Sequence, residues 1–281
     1  MKNILIPTDF SSNADHAIAY AINIFKCERA NFYFLHAYAD EVYGPFHNLD
    51  KEAFEKQRQI HSKSSENKLT KLVNDTKTKT HNPMHKYEMI SSFESLVDAL
   101  NNVADSKNID LIIMGTRGAT ANSKITFGSN TVQVFKYVKC PVLAVPDHYD
   151  YSQPKKILFP SNYMLPYKRR ELKLLDILAG EFKAEVHSLY ISDFEDLSIR
   201  QLDNKKFLEE SLPHARLSFV RTTVDNRAKA ILAYINENKM DLLVMVNSRH
   251  SFLEDMLYQS TIDEIGLSPT IPFLVMQNLS R

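Results

Sequence analysis

The chain of 281 residues has no tryptophan, only two cysteines and six glycines, and no surplus of either charge, since Lys+Arg and Asp+Glu both total 34. Each shortage excludes something. Cys27 and Cys140 stand at no C-x-x-C spacing, which argues against a thiolate metal site or a disulfide framework. They read as buried apolar fillers in a reducing compartment. The balanced charge gives no global electrostatic reason to expect nucleic acid or an anionic membrane as partner. No apolar run approaches the roughly 18 residues that span a bilayer. The first residues enter a strand-like segment at once, without the apolar region and cleavage site of a signal peptide. A cytoplasmic protein that meets neither membrane nor nucleic acid is expected. The ten histidines are scattered, with no H-E-x-x-H or H-x-H pair, so the sequence predicts no metal centre.

What is present is an alternation. Residues 3–6, 31–37, 86–90, 109–114 and 142–145 are short apolar runs of strand type. Between them lie segments of helical period: one capped by Ser11 or Ser12, a charged one over 51–74, one over 94–106 and one over 131–137. Residues 40–50, with Gly44-Pro45, read as a loop; the charged helix reads most simply as a solvated face, with Phe46 and Phe54 near its start as an alternative lid. This βαβ order predicts a parallel sheet with helices on both faces. Residues 147–154 lack periodicity and read as a linker.

After the linker the chain begins again. Lys156-Ile157-Leu158-Phe159-Pro160-Ser161-Asn162 matches Asn3-Ile4-Leu5-Ile6-Pro7-Thr8-Asp9 at an offset of 153. Met240 to Met245 matches Ile109 to Met114 at an offset of 131. The second offset holds without a gap from about Met89 to Val145 and brings Pro272 onto Pro141. The second copy is therefore 22 residues shorter, and the charged segment around 40–75 accounts for the difference. Two homologous domains are expected, over 1–147 and 155–281.

Three of the six glycines, Gly115, Gly118 and Gly128, fall between the fourth strand and the following helix. Glycine lets a backbone approach a phosphate, and a helix start offers unpaired N–H groups and a favourable dipole. At the 131 offset these glycines become Val246, Arg249 and Gln259, and Asp9 becomes Asn162 at the 153 offset. The losses fall together on the glycines while the apolar strands persist, which predicts an anion site in the first domain alone. The Gly-Lys-Ser/Thr ending of a P-loop is absent. Ser129 and Ser161 lack the G-x-S-x-G setting of a hydrolase nucleophile. Arg117 reads equally as a phosphate ligand or a solvated loop charge, and His36 as a hydrogen-bonded core residue.

The pattern G-x-x-G-x9-G-S from Gly115 to Ser129, with Ile4-Leu5-Ile6-Pro7-Thr8-Asp9 and Cys140-Pro141-Val142-Leu143-Ala144-Val145, resembles the universal stress protein family in a tandem, two-domain form. The resemblance implies two Rossmann-like domains of the adenine nucleotide alpha hydrolase type, each with a five-stranded parallel sheet. It implies ATP or a related adenine nucleotide, with magnesium held at most indirectly by Asp9, in the first domain. Pro7, Thr8 and Asp9 would lie near ribose and base, Ala37 along the base pocket through its backbone, and Met114 would also be among the nucleotide-binding residues. Gly115, Arg117 and Gly118 would wrap the ribose and phosphates, and Gly128, Ser129, Asn130 and Thr131 would hold phosphate. It further implies a pseudo-dimer in which the last strands pair, and leaves a homodimer open. A regulatory or stress-response role follows from the resemblance, with slow ATP hydrolysis or a scaffold without nucleotide as alternatives.

Overall fold

The computed structural model describes residues 1–116, 127–147, 149–164, 166–192, 194, 196–223, 226–247, 253 and 270–277. The chain forms two compact units, Met1–His148 and Tyr149–Arg281. In the first unit the order is β1 (Lys2–Pro7), α1 (Ser12–Ile24), β2 (Ala30–Ala37), α2 (Ala39–Phe46), α3 (Lys51–Thr80), β3 (His85–Ser92), α4 (Leu96–Ser106), β4 (Leu111–Gly115), α5 (Ser129–Tyr137) and β5 (Val142–Val145). Its strands are parallel in the order β3-β2-β1-β4-β5. The order reverses at β1, between β2 and β4, where open α/β sheets leave a crevice beyond the strand ends.

Local chemistry explains the elements. Ile4, Leu5, Ile6, Ile112, Ile113, Val142, Ala144 and Val145 are wholly buried, as central strands of a parallel sheet require. Ser11 caps α1 by accepting from Ala14 N at 3.2 Å, and Ala14, Ala17, Ile18 and Ala21 turn its apolar stripe to the core. Ser95 caps α4 in the same way.

Three expectations change. Residues 40–50, read as a loop, hold most of α2. Pro45 stands one residue before its end, so only a single bond, to the Glu41 carbonyl, is forgone, and burial of Ala39 and Val42 anchors the turn. The charged helix runs to Thr80, its buried stripe of Ser65, Leu69, Val73 and Thr76 continuing past the expected end until His81 takes a left-handed conformation. Cys27 is exposed and Cys140 buried, so only the second is a filler.

The second unit contains β6 (Lys156–Ser161), α6 (Arg169–Phe182), β7 (Glu185–Ile191), α7 (Ile199–Ser211), β8 (Arg216–Thr222), α8 (Arg227–Asn238), β9 (Leu242–Asn247) and β10 (Phe273–Gln277). Its strands are also parallel, in the order β8-β7-β6-β9-β10. The registers repeat the sequence offsets. Ile4 faces Leu111 in the first unit and Ile157 faces Leu242 in the second, and the pair Ile112 and Val142 recurs as Leu243 and Phe273.

Candidate functional site

The turn after β1 is held by its own side chains. Thr8 Oγ1 accepts from Phe10 N at 3.0 Å, and Asp9 Oδ1 accepts from Ser11 N at 3.0 Å. Between them Phe10 sits at φ 61°, a left-handed conformation that costs a bulky residue about 1 kcal/mol or more. Its ring then lies 4.7 Å from that of His36, with Lys68 Nζ 5.2 Å from its centroid.

On the other side of β1, Gly115 closes β4. A Cβ there would stand 2.8 Å from Asn13 Cγ, so the absent side chain makes room for the start of α1. That steric reason accompanies the one suggested by phosphate. Gly128 N donates to Thr116 O at 2.8 Å, and Thr131 Oγ1 donates to Thr116 O at 3.0 Å. Both groups thus tie α5 to β4. The donors that remain at this end are the first-turn N–H groups of Ser129, Asn130 and Thr131, which have no acceptor within the helix, and no acidic residue stands in that turn.

These elements surround a cavity of about 180 Å³ beyond the ends of β1, β2 and β4. Of the residues expected at the site, it brings together Pro7, Thr8, Asp9, Ala37, Met114, Gly115, Asn130 and Thr131. Ser129 lines an adjoining hollow of about 320 Å³, which shares Asp40, Leu96 and Asn130 with the first. Gly128 lies at the N-cap of α5 and Arg117 and Gly118 fall outside the described residues. Phe46 and Phe54 are not on the cavity wall. Phe54 packs with Tyr43 and Phe93, and Phe46 meets His61.

Sequence reasoning missed Asp40 and Glu41, and read His36 as a hydrogen-bonded core residue without its place on the cavity wall. His36 is 3% exposed and joins a chain that links four elements, β2, α2, α3 and β3. Its Nε2 lies 3.0 Å from Glu41 Oε1, its Nδ1 2.9 Å from Ser65 Oγ, and Ser65 Oγ lies 2.7 Å from Ser91 Oγ. Burial pushes the imidazole below its ordinary pKa, against the pull of the Glu41 carboxylate. The carboxyl of Asp15, in the first turn of α1, is raised by burial, with Lys79 opposing and Asp9 adding to the rise. The cavity wall carries three carboxylates, from Asp9, Asp40 and Glu41, and among the described residues no lysine or arginine. Nor do the described residues group three metal-ligating side chains.

The second unit repeats the turn and fills the matching described positions with its own side chains. Tyr163, the counterpart of Phe10, is also left-handed at φ 54°, and Tyr190 takes the place of His36 in the ladder. Ser161 Oγ, the counterpart of Thr8 Oγ1, is met by Tyr167 OH at 2.9 Å. Gln201 Nε2 donates to Asn162 O at 2.9 Å and to Tyr190 OH at 3.3 Å. Ile191 and Val246, both buried, replace Ala37 and Gly115. The later counterparts of the glycine loop, Arg249, His250, Gln259, Ser260 and Thr261, lie outside the described residues.

The sequence profile of the universal stress protein family matches residues 1–146. This chain belongs to the universal stress protein family. A universal stress protein of Methanocaldococcus jannaschii is 32% identical over 159 residues, which cover 55% of this chain and 84% of that one. A universal stress protein of Synechocystis is 25% identical over 298 residues, covering 99% of this chain and 100% of its own. Among solved structures, a universal stress protein from Archaeoglobus fulgidus has the same fold, with a TM-score of 0.65 at 18% identity over 98% of this chain and 96% of that one. The Rossmann-like universal stress protein fold thus extends over both units.

Proposed function

We propose that the first unit binds ATP or a related adenine nucleotide, one per chain, and that the protein acts as a nucleotide-responsive regulatory protein. The observation that carries this reading is the cavity at the point where strand order reverses, with a helix N-terminus on one side and small residues at Ala37 and Gly115. Together with the hollow beside it, this cavity is of the few hundred Å³ that a nucleotide occupies. The residues suit the ligand by their chemistry: N–H groups of α5 face the phosphates and Thr8 and Asp9 the ribose. Magnesium bound with the nucleotide would supply the positive charge that the phosphates need, since among the described residues the charged groups on the wall are carboxylates.

Binding without fast turnover is favoured because His36 has both ring nitrogens engaged within the protein and cannot serve as general base in that arrangement. Asp9 is the remaining carboxylate of the β1 turn, and slow hydrolysis aided by it is the second reading. Calorimetric titration with ATP and magnesium tests the first reading. Heat that saturates, and is lost in Gly118→Glu, supports it, whereas an absence of heat in the wild type and of any nucleotide in the purified protein overturns it. A turnover assay of wild type against Asp9→Asn tests the second, because equal rates exclude that role.

A further inference from the structure

Glu41 is a surface carboxylate held unusually firmly. Its side chain is 50% exposed, yet Oε1 is bonded to an imidazole that is 4% exposed. A carboxylate accepts only, so the neutral imidazole donates from Nε2 and Nδ1 accepts. Ser65 must then donate to Nδ1 and receive the Ser91 hydroxyl. The order of donors runs from β3 through α3 and β2 to α2 and ends on Glu41. Each partner is fixed by the next, which removes much of the rotamer freedom an exposed glutamate would otherwise have.

The position of this acceptor is also informative. Glu41 lines the cavity beside His36 and Ala37, whereas the helix start of α5 lines it beside Gly115. A carboxylate disfavours phosphate at its own end, and the α5 dipole favours it at the other. Asp40 lines both the cavity and the adjoining hollow and favours neither end, so Glu41 and the α5 dipole sort the charged tail and the neutral base of a nucleotide to opposite ends. At the Glu41 end the base meets an oxygen, Oε2, that no donor reaches among the described residues. An acceptor of this kind takes an N–H or O–H donor, and the base of an adenine nucleotide offers one such group, its exocyclic amine.

Resting on the nucleotide reading above, we infer that Glu41, positioned by His36, reads the base by accepting from the exocyclic amine of adenine. Glu41 is thus a specificity-determining residue and His36 a positioning residue. The test compares ATP with purine riboside triphosphate, which lacks only the amine, by calorimetry on the full chain. A hydrogen bond to a charged acceptor predicts that the wild type prefers ATP by about tenfold or more. In Glu41→Ala, a change at a half-exposed position that leaves the fold intact by circular dichroism, the preference falls to within about twofold. His36→Phe retains a ring against Phe10 but cannot donate, and lowers the preference without abolishing it. Equal affinities in the wild type, or a preference that survives in Glu41→Ala, overturn this inference while leaving nucleotide binding intact. If neither triphosphate binds the wild type, both readings fall.

Discussion

At the carboxyl ends of β1 and β2 the chain leaves polar atoms facing a cavity, and at the matching ends of β6 and β7 it meets them with its own side chains. The ladders share their register, and both turns force an aromatic residue, Phe10 or Tyr163, into the left-handed region. The differences lie in what faces the space. Thr8 lines a cavity while Ser161 is bonded to Tyr167, and Ala37 and Gly115 give way to Ile191 and Val246. Such a pair teaches that keeping a fold and keeping a site are separate demands. Among the described residues, the second unit engages with its own side chains polar groups whose counterparts face a cavity in the first.

The comparison can be broken most forcefully at Tyr163. Its ring stacks on Tyr190 at 5.5 Å and its hydroxyl bonds Ser188 Oγ at 2.8 Å, so Tyr163→Ala should cost about 3–5 kcal/mol in thermal unfolding. ATP affinity at the first unit should not change. A loss of both would mean that the two units are not separable in this way.

Alkali acts on the same residue. Burial pushes the Tyr163 phenol up to about 12, with the Ser188 bond opposing. Between pH 10 and 12 the unfolded chain has lost a proton that the folded chain retains, so stability falls as pH rises through this window, by up to about 3 kcal/mol. Tyr163→Phe should flatten the slope in denaturant titrations across it. Tyr167, also raised to about 12 by burial, contributes to what slope remains.

Copying the second unit into the first sharpens the role of Gly115. Gly115→Val places a Cβ against Asn13 and should destabilise by about 1–3 kcal/mol while weakening ATP binding. Part of the stability, by a coupling of about 0.5 kcal/mol or more, should return when Asn13→Ala is added, measured as a double-mutant cycle. Complete additivity would show that the clash does not govern this position.

The smallest expected effect is acid sensitivity in the first unit. Because burial depresses the His36 pKa, the unfolded chain binds the proton more readily. The contribution of His36 is therefore full above its ordinary value of 6.5 and is lost as pH falls below it. His36→Gln should remove this part of the stability profile, and an unchanged profile would place the acid sensitivity elsewhere.

Much of the fold was legible because buried parallel strands are nearly continuous apolar runs, and Ile4 to Ile6 and Ile112 to Met114 announce themselves as such. The repeat was legible for the same reason, since strand offsets survive when loops diverge. α2 was not, because Gly44-Pro45 is ordinarily a turn signal and only the burial of Val42 outweighs it here. The glycine stretch pointed to a site, but the share of Asn13 in keeping Gly115 small depends on a contact between elements far apart in sequence. His36 was read as a hydrogen-bonded core residue, and it is one. Its reach to Glu41 and the cavity followed from α2, which the sequence reading had treated as a loop.

The difference between the two units is tested most directly by counting. Equilibrium titration of the full chain with ATP and magnesium should give a stoichiometry of one nucleotide per chain, abolished by changes in the first unit and untouched by Tyr163→Phe in the second. A stoichiometry of two would contradict the account, because a wall closed by Tyr167, Gln201 and Val246 would then be binding what it was taken to exclude.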